Sequence, residues 1–314
     1  MSDTKQKKLK ILVEILGNYS ISGNEFLFKC PFCNHHKKKL SINLEKGIKC
    51  WICDVKTPNI QRLVRKHGTF LQLQAWKELT GQIEIADFDT LFASTKEQDE
   101  EEQLVSLPDE FVSLCNRNPS LTSVQAKNYL SNRGIEKEDI LRWKLGYCPV
   151  GKFEGRIIAP SFNLDGKCNY FVGRTYTKHW KKYMNPQESK DIIFNELMVD
   201  WDEDVILCEG VFDAIKVPNS IPILGSTLRE DSKLFKQIVK NDSAVYLALD
   251  PDAEKKIEHL IESLLRYGIE IYKVEIKPFK DVGEMSKDEF LRRKESAKLI
   301  KNTDSLLLQK IMSI

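Results

Sequence analysis

No stretch of the sequence approaches the roughly 20 consecutive apolar residues that a helix needs to cross a bilayer. The lysine-rich start, Met1 to Lys10, has no apolar segment behind it of the kind that makes an export signal. A cytoplasmic protein without membrane contact is therefore expected. Glycine and proline are not abundant, at 15 and 11 of 314 residues, which excludes collagen-like and low-complexity classes. There is no internal repeat and no usable P-loop. Gly146 to Lys152 follows most of the GxxxxGK[ST] pattern, but Phe153 stands where a hydroxyl is needed to help hold Mg²⁺, so the segment reads as a turn. No helicase motor is therefore expected in this chain.

Net charge is also nearly absent, +2 overall, yet it is unevenly spread. Residues 1–70 carry +9, residues 71–110 carry −9, residues 111–200 carry +5 and the remainder −3. A basic start and a basic middle suit contact with a polyanion, and an acidic end suits a site that gathers cations. Eight cysteines without an export signal point to metal ligation or free thiols, because the cytosol keeps thiols reduced.

Four of those cysteines form Cys30-Pro-Phe-Cys33 and Cys50-Trp-Ile-Cys53, a CxxC-x16-CxxC spacing. Four thiolates close a tetrahedral shell around one structural Zn²⁺ and leave no position for water or substrate. The adjacent His35 and His36 are expected to be exposed. Lys37, Lys38 and Lys39 lie between the pairs, and Trp51 and Phe32 are available for stacking, so a small basic ribbon that reads nucleic acid is the sharper reading of this segment.

Downstream, Asp165-Gly166 between Arg156 to Pro160 and Cys168 to Tyr176 signals a β-hairpin. From Asp204 onward short apolar runs alternate with helical patterns, which predicts a parallel sheet with helices on both faces. Ligands in such sheets sit at the carboxyl ends of the strands. Glu209, Asp213, Asp250, Asp252 and Asp281 fall at or beyond predicted strand ends. Carboxylates gathered in one crevice repel unless divalent cations neutralise them, and hard oxygen ligands favour Mg²⁺ or Mn²⁺.

Glu209-Gly210-x-x-Asp213-Ala214, Asp250-x-Asp252 and Lys280-Asp281 resemble, in order and spacing, the Toprim motifs shared by DnaG-like primases, topoisomerases and some nucleases. Arg156-Ile-Ile-Ala-Pro160, Gly166-Lys167, Gly173-Arg174, Lys182-Tyr-Met-Asn-Pro186 and Leu224-Gly-Ser226 resemble the segments that precede and enter Toprim in DnaG-like primases of bacteria and phages. The four-cysteine ribbon is closer to the phage branch. The resemblance spans roughly residues 25–285.

It implies an α+β and α/β multi-domain protein: a zinc ribbon over 1–80, an acidic linker over 81–106, a basic mixed α/β subdomain over 107–201, a Rossmann-like Toprim domain over 202–285 and a C-terminal helical segment over 286–314. It further implies synthesis of RNA primers on single-stranded DNA from ribonucleoside triphosphates, with a separate replicative helicase as partner and the host cytoplasm as location if the gene is a phage's. Glu209, Asp250 and Asp252 would hold catalytic Mg²⁺ or Mn²⁺, with Asp213 and Asp281 beside them. Arg156, Lys167, Arg174, Lys182, Lys37, Lys38, Lys39 and Trp51 would contact nucleotide or DNA. A Toprim-type nuclease and a non-catalytic zinc and Toprim repair module are the alternatives.

Overall fold

The computed structural model describes residues 3–53, 55–57, 60–80, 103–116, 120–224, 228–250 and 254–300, the side chains of residues 57 and 254–257 excepted. Asp252, Gly225, Ser226, the acidic run over 81–102 and the helical pattern over 305–311 lie outside them. The chain divides into two compact units, Met1–Ile85 and Ala86–Ile314.

The first unit opens with helix α1 (Asp3–Leu16), followed by a five-stranded antiparallel sheet: β1 (Ser20–Ser22), β2 (Glu25–Lys29), β3 (Lys38–Asn43), β4 (Gly47–Cys50) and β5 (Lys56–Thr57), paired in chain order. Helices α2 (Ile60–His67) and α3 (Phe70–Leu79) follow, the latter started by a Thr69 and Gln72 capping box. Leu12, Phe28, Leu40, Ile42, Leu63, Val64 and Trp76 form the core between helices and sheet.

In the second unit β6 (Val112–Ser113) is followed by α4 (Leu121–Asn132) and α5 (Lys137–Arg142), then by β7 (Gly146–Cys148), β8 (Arg156–Phe162), β9 (Cys168–Thr175) and β10 (Tyr183–Met184). These strands make a second antiparallel sheet, ordered β10-β9-β8-β7-β6. Gly166 sits at φ 75° in the β8–β9 turn, a backbone region open to glycine.

The third sheet is built from β11 (Val205–Cys208), β12 (Ser220–Pro222), β13 (Val245–Ala248), β14 (Ile271–Lys273) and β15 (Lys298–Ile300), in the order β12-β11-β13-β14-β15. The first four strands are mutually parallel and β15 is antiparallel. Helices α6 (Val211–Ala214), α7 (Lys233–Asn241), α8 (Glu254–Arg266) and α9 (Lys287–Glu295) intervene. Alternation along β11 explains why its sequence is wholly apolar. Val205 and Leu207 enter a core with Phe235 and Ile261, whereas Ile206 and Cys208 enter another with Leu130, Ile157, Tyr170 and Phe290.

Two differences from the sequence reading stand out. The helical pattern over Lys287 to Ile300 ends at Glu295 and continues as edge strand β15 beside β14. Three apolar or long side chains in a row carry too little periodicity to separate strand from helix, and pairing with Ile271 to Lys273 decides the matter. The pattern from Leu228 becomes helix only at Lys233, after the Ser232 N-cap. In addition, Gln103 and Val105, read as linker, bond the β9 backbone at Asn169 and Cys168.

Candidate metal centres and nucleic-acid interface

Register explains the ribbon site. Phe28 of β2 faces Leu40 of β3, which faces Cys50 of β4, so the loops that leave β2 and β4 emerge at the same end of the sheet. Each loop folds into a tight knuckle, closed by Asn34 N–H to Cys30 C=O at 2.9 Å and by Cys50 N–H to Val55 C=O at 2.8 Å. All four sulfurs of Cys30, Cys33, Cys50 and Cys53 lie within 4.8 Å of one another. Cys30 to Cys53 is 3.8 Å and Cys33 to Cys50 is 3.9 Å. A Zn–S bond of ~2.3 Å in a tetrahedron requires edges of about 3.8 Å, so the donor set fits Zn²⁺. Burial alone would raise the Cys50 thiol, but the Cys53 and Ile52 amides and the neighbouring thiols overcome it and lower Cys50 to about 7, whereas burial pushes Cys30 up to about 12.

His35 and His36 stack on each other 4.4 Å apart and are not part of the four-sulfur cluster. Lys37 and Lys39 are exposed and Lys38 is half-buried. Trp51 is 59% exposed, with the Lys49 ammonium 4.1 Å above its ring.

In the parallel sheet the chain leaves β11 for β12 on one side and later returns to β13 on the other. The β11–β13 seam is therefore the topological switch point, where open parallel sheets bind ligands at the carboxyl edge. Cys208 pairs with Ala248, so Glu209 is one residue and Asp250 two residues beyond that pair at this edge. Glu209 Oε2 is buried and has no hydrogen-bonding partner. Burial, followed by the charges of Asp213 and Asp250, pushes the adjacent Cys208 thiol well up, which brings both carboxylates into one electrostatic neighbourhood.

Asp213 is supplied by α6, and burial and the nearby Asp281 charge raise its carboxyl, partly offset by Arg133 at 3.8 Å and by Arg174. Gly283 lies where a β-carbon would come within 2.6 Å of Arg133 Nη2, 2.7 Å of Asp213 Oδ1 and 3.0 Å of Asp281 Oδ1. Its lack of a side chain allows the Asp281 loop to close on α6. Asp281 also caps its own turn, accepting from the Glu284 amide at 2.9 Å. An orphaned buried oxygen on Glu209 among neighbouring carboxylates fits a hard divalent cation. Among the described residues, however, the four cysteines are the cluster in which three or more donor atoms already converge.

The basic residues divide by burial. Arg174 is buried, donating from Nε to the Tyr129 hydroxyl at 2.6 Å and from Nη1 to that of Tyr183, with Phe212 packed on the guanidinium at 5.0 Å. Arg156 is also buried and donates to the Glu154 and Lys181 carbonyls, each at 3.1 Å. Lys182 is exposed, and Lys167 is exposed beside Asp165. Sequence reasoning missed Arg133, Tyr129, Tyr183 and Lys216. Lys216 donates to three carbonyls, Arg133 at 3.1 Å, Gly283 at 2.7 Å and Met285 at 2.6 Å, and burial lowers its pKa. Its place three residues after Asp213 was the available signal.

Comparison with known proteins gives a consistent result. No family model matches the chain. It is 24% identical over 94% of its length to a DNA primase of Thermotoga maritima and 26% identical over 93% to one of Clostridium acetobutylicum. It spans 60% and 58% of those two relatives. A solved DnaG primase catalytic domain bound to single-stranded DNA superposes with a TM-score of 0.51 at 19% identity, over 62% of this chain and 77% of that one, so the two share a fold.

Proposed function

We propose that the chain is a DnaG-like DNA primase that synthesises short RNA primers on single-stranded DNA. The observation that carries this reading is the pair Glu209 and Asp250 at the switch point of the parallel sheet, with a buried, unpartnered oxygen on Glu209. The shared fold and the curated relatives named DNA primase support it.

In this reading Glu209, Asp250 and Asp252 hold the catalytic Mg²⁺ or Mn²⁺ ions. Bound there, such ions supply activation of a 3′-hydroxyl and stabilisation of departing pyrophosphate. The protein's own part is positional. Lys216 ties the Gly283 and Met285 carbonyls to the segment after α6, which keeps Asp281 beside Asp213. Arg133 and Arg174 hold the buried Asp213 charge in place, and the tyrosines around Arg174 fix the direction of its guanidinium. Exposed Lys167 and Lys182 are left for phosphates. The ribbon, with Lys37, Lys38, Lys39 and Trp51 outside its zinc site, reads the template, and a separate helicase delivers that template.

The test is incorporation of labelled ribonucleotides on mixed-sequence single-stranded DNA with Mg²⁺. Short RNA is expected from wild type and none from Asp250→Asn, with DNA binding unchanged in the variant. Cleavage of DNA without dependence on ribonucleotides would overturn the reading in favour of a nuclease.

A further inference from the structure

Trp180 is 91% exposed, the most exposed large apolar side chain among the described residues. Single exposed apolar residues are ordinary on protein surfaces. Trp180 differs in how its loop is built. Residues 177–183 read Thr-Lys-His-Trp-Lys-Lys-Tyr, and Lys178, His179, Lys181 and Lys182, its neighbours in the chain, are all exposed.

The loop is held from inside. Arg156, 3% exposed, sends Nη2 to the Lys181 carbonyl at 3.1 Å and to His179 Nδ1 at 3.4 Å. His179 Nδ1 accepts from the Lys181 amide at 3.0 Å, and the His179 ring stacks on Trp180 at 5.8 Å and 24°. A buried guanidinium thus fixes a surface turn whose outermost group is an aromatic face. Three residues later Tyr183 accepts from Arg174 and feels the Asp213 charge. At ~3.5 Å per residue the Trp180 backbone is within about 11 Å of Tyr183.

We infer that Trp180 is a stacking platform for an unpaired base of single-stranded nucleic acid, with Lys178, Lys181 and Lys182 on the flanking phosphates. The inference rests on the primase reading and adds a site to it. An exposed indole flanked in the chain by three exposed lysines matches a polyanion that presents bare π-faces, and fixing the ring before binding reduces the ordering cost of association. Duplex DNA hides its base faces and does not meet the description.

The experiment measures the affinity of the full chain for labelled mixed-sequence single-stranded DNA, as anisotropy over a salt series, with a blunt duplex alongside. Trp180→Ala is expected to weaken single-strand binding by about 5- to 150-fold, the range given by loss of one base–aromatic stack, and to leave duplex binding unchanged. Its salt slope stays at the wild-type value, because stacking releases no counterions. The triple variant Lys178→Ala, Lys181→Ala, Lys182→Ala instead flattens the slope by about 2. Trp180→Phe retains most of the affinity. Wild-type affinity in Trp180→Ala, with priming intact, overturns this inference alone. A flattened slope in Trp180→Ala also overturns it. Failure of wild type to bind single strands overturns both this inference and the primase reading.

Discussion

Glu209 carries a buried carboxylate oxygen without a hydrogen-bonding partner, and taking such an oxygen out of water costs stability. Replacing it with the isosteric Gln removes the charge and keeps the shape. Primer synthesis is expected to fall on the order of 10²-fold or more in steady-state assays, while the melting temperature stays level or rises. His67 offers a separate test in the ribbon unit. Its Nε2 is buried without a partner, Phe32 packs edge-on at 5.0 Å, and burial, followed by the Lys66 charge, lowers its pKa from 6.5. Because the folded value lies below the unfolded one, the unfolded chain takes up a proton that the folded chain does not. The His67 contribution is therefore present above pH 6.5 and is lost as pH falls through it. The melting temperature of His67→Phe should fall less than that of wild type between pH 7 and pH 5.5; equal falls would exclude this role. At this scale the strand-end positions of Glu209 and Asp250 were legible because they follow apolar runs. Lys216 and Arg133 were not, since the Lys216 partners lie 67 to 83 residues away in the chain.

Among the elements, short α6 and the Asp281 turn depend on each other for their geometry. Gly283→Ala forces a methyl group against Arg133, Asp213 and Asp281, all flexible side-chain ends that can move aside. The expected stability loss is about 1–3 kcal/mol, a melting shift of several degrees, with a larger proportional loss of primer synthesis. Lys216→Met keeps the stem but leaves three carbonyls without their donor, and about 1–3 kcal/mol of destabilisation follows, read by urea unfolding. The β8–β9 hairpin and the apolar strands β11 and β13 could be read from sequence because turn chemistry and burial on both faces leave local marks. The two-residue strand β6 and the edge strand β15 exist through pairing 25 to 35 residues away, and β10 is only two residues long, so no local pattern announces them.

At the level of the whole molecule, the two units draw stability from different sources. The first adds a four-sulfur site at one end of its sheet to an apolar core of its own, whereas the second relies on apolar cores on both faces of its parallel sheet. Removing zinc with a strong chelator is expected to abolish the calorimetric transition of the first unit and leave that of the second in place. Loss of both together would show that the units unfold as one. The joint between the units, at Ile85 and Ala86, falls within the acidic segment over 81–106 that the sequence reading set after the ribbon. Lys216 also bears on how the protein comes into being. Its partner carbonyls at Gly283 and Met285, and strand β15 after them, leave the ribosome long after the ribbon. In the primase reading, a nascent chain would grip metal with its thiols, and a template with its lysines, before it owns a finished catalytic cleft. Polypeptides cut short before residue 285 are expected to occupy DNA without copying it.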